Sequence, residues 1–103
     1  MREAKIFLQG RFAGILRERV LGTKYTFIYS DDYDGPPVSL TMPRNRQTYE
    51  YDRFPPFFEG LLPEGEMLGG LLRQLKIDAK DLFSQLMAVG RDLVGAVTVE
   101  EIK

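Results

Sequence analysis

The sequence contains no cysteine and no histidine among its 103 residues. The first absence removes disulfides, thiol catalysis and every zinc site built on thiolates. A small secreted domain usually needs such cross-links, so a reducing compartment, the cytoplasm, is expected. The second absence removes the commonest general base and the commonest metal ligand. Ser30, Ser39 and Ser84 have no histidine to activate them, and Lys5, Lys24, Lys76, Lys80 and Lys103 stand in ordinary polar surroundings. No catalytic residue, metal site or cofactor is expected.

Long apolar runs and an excess of one charge are missing too. Phe57-Phe58 and Leu61-Leu62 are far too short to cross a bilayer, and Met1 to Lys5 leads into a strand-like run without a signal segment. No membrane partner is expected. Fourteen basic and fifteen acidic residues leave a net charge of −1. A chain that grips nucleic acid by itself carries a basic excess or stripe. The one basic cluster, Arg44-Asn45-Arg46, reads as a solvated loop, so no direct nucleic-acid contact is expected.

Two motifs come close to known chemistry and fail. Asp31-Asp32-Tyr33-Asp34-Gly35 has the look of a calcium loop, yet the twelfth position, a glutamate in an EF-hand, is Met42 or Pro43. It reads as an acidic turn. Gly65-Glu66-Met67-Leu68-Gly69-Gly70 lacks the Gly-Lys-Ser/Thr ending of a phosphate loop and does not directly follow a strand. Its paired glycines instead suggest close packing of a helix against a neighbour.

What is present is a globular chain, 44% apolar and 12% aromatic, with room for one domain over residues 1–103. Lys5 to Leu8 and Phe12 to Leu16 read as strands around a turn at Gln9-Gly10, where glycine supplies a positive φ. Tyr25 to Tyr29 is a third strand, rich in aromatic and β-branched residues. After a loop from Ser30 to Pro37, the alternation of Val38, Leu40 and Met42 predicts a fourth, ended by Pro43. Arg44 to Arg53 reads as a polar stretch.

Helical signals follow. A short helix opened by proline is expected within residues 54–62, and Pro63 suits the first turn of the next. Glu64 and Glu66 then lie near its positive end, and Met67, Leu68, Leu71, Leu72 and Leu75 form an apolar stripe. Asp78 is the expected N-cap of a last helix through Leu82, Phe83, Leu86 and Met87, which Gly90 stops. Alternation from Leu93 to Val99 predicts a final strand that rejoins the sheet begun at residue 5. The fold class is α+β: a small, mostly antiparallel sheet of the N-terminal strands plus the C-terminal strand, packed with two or three helices.

One segment holds more large apolar groups than an elbow can bury on one side. Phe54, Phe57, Phe58, Leu61, Leu62, Met67 and Leu68 crowd around two prolines and a glycine, and part of that surplus suits a binding patch.

Three blocks carry a resemblance. Val38-Ser39-Leu40-Thr41-Met42-Pro43, Pro56-Phe57-Phe58-Glu59-Gly60-Leu61-Leu62-Pro63-Glu64-Gly65 and Gly90-Arg91-Asp92-Leu93-Val94-Gly95-Ala96-Val97 stand in the order found in the N-terminal subdomain of HipA-type serine/threonine kinase toxins. The early hairpin with Gly14-Ile15-Leu16 is similar to that subdomain's opening. HipA-type kinases continue into ATP-binding and catalytic regions beyond this part, so the resemblance implies no kinase activity for residues 1–103.

As a separate chain, it resembles the HipS-like antitoxins of three-component HipBST systems. The resemblance implies an antitoxin that binds a HipT-like serine/threonine kinase toxin lacking this subdomain, with a HipB-like helix-turn-helix DNA-binding protein in a ternary complex. The alternative it leaves open is a non-inhibitory structural subunit of a split HipA-type kinase. Candidate kinase-binding residues are Phe57, Phe58, Leu61, Leu62, Glu64, Glu66 and Met67. Where stand-alone relatives carry a bulky aromatic after the Glu-Gly, this chain has Glu66. That leaves Met67 as the nearest large apolar group, or the Glu66 carboxylate opposite a basic group near the kinase's nucleotide site.

Overall fold

The computed structural model describes residues 1–93 and 95–103. Val94, assigned above to the final strand, lies outside them. Five strands make one antiparallel sheet: β1 (Arg2–Leu8), β2 (Arg11–Val20), β3 (Lys24–Tyr29), β4 (Thr48–Tyr51) and β5 (Val97–Ile102), ordered β4-β3-β2-β1-β5. Three helices follow β4: α1 (Pro56–Glu59), α2 (Gly65–Leu75) and α3 (Leu82–Val89), the last running into a 3-10 turn over Gly90–Asp92.

The hairpin forms where expected. Gln9 and Gly10 both take positive φ, 50° and 81°, matching the right-handed twist of the flanking strands. Alternation then sets the inner face. Ala4, Ile6 and Leu8 of β1 are buried while Lys5 is exposed, and Leu16, Phe27 and Val99 occupy the same layer. Onto that layer fold Phe58 of α1 and Phe83 and Leu86 of α3, each at 0% exposure. The Phe27 and Phe58 rings meet at 5.9 Å, and Tyr25 meets Phe54 edge-on at 5.3 Å.

The predicted strand over Val38–Met42 is a turn, and the strand lies instead at Thr48–Tyr51, inside the stretch read as polar. Prolines at 36, 37 and 43 remove ladder donors around the first segment. The Ser39 hydroxyl takes the Thr41 N–H, so local bonds win there. At 48–51, Tyr49 and Tyr51 are half-buried and pack against the core, while Glu50 is exposed.

Four helix and strand boundaries also shift. Pro63 precedes the N-cap of α2, Glu64, rather than sitting in its first turn. Asp81, not Asp78, caps α3, accepting from the Ser84 N–H at 3.1 Å; Asp78 closes the preceding turn onto Lys80 N–H at 2.8 Å. Strand β5 begins at Val97 and runs to Ile102, where it pairs back onto Glu3. Paired glycines in α2 do not mark close packing. A Cβ on Gly70 would meet nothing within 4 Å, and one on Gly69 only Arg73 Nη1 at 3.4 Å.

A partly buried polar cluster ties α3 to the sheet. Arg2 donates to both carboxylate oxygens of Glu18, at 2.6 and 2.9 Å, and also to Asp81 and Ser84. Glu18 is 3% exposed and accepts further bonds from Tyr25 Oη and the Gly22 N–H. Burial pushes the Glu18 carboxyl up, but these donors outweigh it and leave it below its ordinary value. Asp81 is held low by the same balance, burial opposed by Arg2 and Ser84.

Candidate functional site

The elbow from Phe54 to Met67 is built from the inside out. Phe54 and Pro55 are buried, and Pro56 opens α1, where its missing N–H costs nothing. Phe58 then drives into the core, with Phe57 half-buried against it at 5.1 Å, edge to face. The chain keeps turning through Leu61 N–H to Phe58 O and Leu62 N–H to Glu59 O. That places Leu61 half-buried at the rim and Leu62 in the core at 8% exposure.

Helix α2 is the unusual element. It has an apolar stripe and yet buries none of its residues. Leu68, Leu71 and Leu72 are half-buried, Leu75 is 48% exposed, and Met67 is 77% exposed. An 11-residue helix has little stability of its own in water and normally relies on an apolar face packed against something. Here Met67 and Leu71 of that face line a groove.

The groove holds about 580 Å³. One wall is the elbow and α2, through Gly60, Leu61, Pro63, Met67 and Leu71; the other is the end of α3 and the segment beyond it, through Ala88, Val89, Asp92 and Leu93. Its surface is chiefly apolar, with one carboxylate, Asp92. Glu64 and Glu66 stand exposed at the N-terminal end of α2, next in sequence to the lining residues Pro63 and Met67, and add negative charge beside the groove. Such a surface suits a partner segment that is apolar with a basic border.

Of the candidate residues, Leu61 and Met67 line this groove, Glu64 and Glu66 flank it, and Phe57 lies on the elbow's partly exposed side. Phe58 and Leu62 are core residues that support the elbow from beneath. Sequence reasoning missed the second wall. Val89, Asp92 and Leu93 are distant in sequence from the elbow, and only the return of α3 across the sheet brings them beside Leu61.

Residues 4–100 match the family described as HipA N-terminal domain. A Haemophilus influenzae (strain Rd) protein carrying no functional name is 37% identical over 103 residues, covering all of this chain and 95% of that one. The putative kinase Y4mE of Sinorhizobium fredii is 27% identical over 100 residues, covering 94% of this chain but only 24% of the kinase. Among solved structures, the N-terminal domain of HipA toxin superposes with a TM-score of 0.78 at 32% identity, over 100% of this chain and 94% of that one. Sequence, order of elements and three-dimensional fold agree: the chain belongs to the HipA N-terminal domain family.

Proposed function

We propose that this domain, residues 1–103, works in the cytoplasm as a non-catalytic antitoxin that docks onto a separate HipT-like serine/threonine kinase and restrains it. The observation that carries this reading is α2, a helix whose apolar stripe borders an open groove and buries no residue. A partner segment laid into the groove would cover Met67 and Leu71 and give α2 packing it lacks. Phe57, Leu61 and Met67 supply apolar contact, while Glu64 and Glu66 face basic groups of the kinase. In this reading Glu66, exposed on the first turn of α2, meets a basic group near the kinase's nucleotide site. A HipB-like helix-turn-helix protein completes a ternary complex and makes the DNA contacts, consistent with the absence of basic excess in this chain.

One observation favours a second reading. The matching segment is about a quarter of the putative kinase from Sinorhizobium fredii, so in that protein the domain is joined to a longer chain. By that analogy this chain is a structural subunit of a split kinase, required for its partner's stability and not for its inhibition. Purified kinase assayed with and without this chain separates the two. Suppressed ATP-dependent phosphorylation supports the antitoxin. Higher kinase solubility or activity supports the structural subunit. Any ATP turnover by this chain alone would contradict both.

A further inference from the structure

Leu40 is 95% exposed, more than any other large apolar side chain among the described residues. A single exposed leucine is ordinary. The way this one is held is not. Val38 and Met42, on either side, are buried at 6% and 0%. The Tyr29 hydroxyl ties both ends of the turn together, accepting from the Val38 N–H at 2.9 Å and donating to the Met42 carbonyl at 2.6 Å. Across the tip, Ser39 Oγ takes the Thr41 N–H, and the Met42 N–H reaches the Ser39 carbonyl at 3.0 Å.

The base of the loop is equally fixed. Tyr33 stacks on Tyr29 with rings 2° from parallel, and the Arg44 guanidinium lies against both rings while donating to the Tyr33 and Gly35 carbonyls. The connection from β3 to β4 has no regular secondary structure and is longer than most loops, which usually marks a functional segment. Side chains, not a ladder, make it rigid. Their combined effect is to present one leucine to solvent on a pre-formed turn, the arrangement that lowers the entropy cost of docking.

The turn and the segment that leads into β5 lie at the same end of the strands, at opposite edges of the sheet. Strands β1 and β3 each run antiparallel to β2, and β5 runs antiparallel to β1. The end where β3 stops and β4 starts, bridged by the Leu40 loop, is therefore the end where Leu93 leads into β5. The connection carries Asp31, Asp32 and Asp34 as well as Arg44 and Arg46, and the Arg44 guanidinium is engaged by the Tyr33 and Gly35 carbonyls, so it is the apolar tip and not charge that the loop offers a partner. The groove alone offers nine lining residues, and a stable interface commonly uses about 20–30 on each side. The partner's footprint must extend beyond it.

We infer that Leu40 is a second anchor of the docking face, inserting into a leucine-sized apolar pocket on the same kinase that fills the groove. This rests on the kinase-docking reading above. The test is calorimetric titration of Leu40→Ala, Leu40→Asp and Met67→Asp against a HipT-like serine/threonine kinase, with thermal melting of each variant. All three melt like the parent, because neither side chain is buried. Leu40→Ala weakens binding about tenfold and Leu40→Asp more, since it would bury an unpaired carboxylate in an apolar pocket. Wild-type affinity in both Leu40 variants alongside a weakened Met67→Asp overturns the second anchor and leaves the groove standing. Failure of the parent chain to bind the kinase overturns both.

Discussion

Gly90 lies so close to Val99 that a Cβ on the glycine would stand 2.4 Å from the Val99 carbonyl oxygen. The glycine's φ of −56° is open to any residue, so the requirement here is closeness and not conformation. This contact seats the end of α3 on the edge strand β5 and so places Val89, Asp92 and Leu93, the far wall of the groove. Gly90→Ala forces backbone apart and is expected to cost about 1–3 kcal/mol in urea denaturation. It should also weaken kinase binding by displacing that wall.

Gly70 is the opposite case. It lies inside α2 with open space where a Cβ would go, so no packing opposes a methyl group. Gly70→Ala is expected to stabilise the isolated chain by up to roughly 0.5–1 kcal/mol, measurable as a raised denaturation midpoint. If kinase binding drops at the same time, the open space beside Gly70 is where the partner sits.

The Arg2 cluster makes stability depend on acid. The Glu18 and Asp81 carboxyls sit below their ordinary values of 4.5 and 3.8, so the unfolded chain takes up protons more readily than the folded one. Their contribution is fully present above those ordinary values and is lost as pH falls through the lower values of the folded state. Urea midpoints at about pH 6 and about pH 3 should differ, the lower pH being less stable. Arg2→Ala should cost roughly 3 kcal/mol near neutral pH, because it leaves Glu18 buried without its cation.

Tyr29→Phe removes the hydroxyl that closes the Leu40 turn and leaves the buried Val38 N–H and Met42 carbonyl without that partner. The expected cost is about 1–3 kcal/mol. Amide hydrogen exchange should rise at Val38, while the β1–β2 hairpin keeps its protection.

Much of the sheet was legible because alternation and aromatic content agree in β1, β2 and β3, and because Gln9-Gly10 is strong turn chemistry. The Val38–Met42 segment misled for a physical reason. It alternates in hydrophobicity, but three flanking prolines and a serine that bonds its own backbone favour a turn, and its buried ends straddle an exposed tip. Strand β4 was hidden because Thr48 and Glu50 lower its mean hydropathy, although Tyr49 and Tyr51 keep a period of two. Asp78 and Asp81 are equal as N-caps in sequence; Arg2, far along the chain, brings Asp81 into the cap. The elbow's apolar surplus was readable from residues 54–68 alone. The groove was not, since its second wall depends on α3 crossing back over the sheet.

The central claim is that this domain binds a HipA-type kinase through the α2 groove and suppresses it. The most direct measurement is co-purification of the chain with a HipT-like serine/threonine kinase, followed by an ATP-dependent phosphorylation assay on the parent complex and on Met67→Asp. The account predicts a stable complex with suppressed activity, and recovery of activity when Met67→Asp, still folded, no longer binds. Absence of a complex, or a complex that Met67→Asp leaves intact and inhibited, would contradict it.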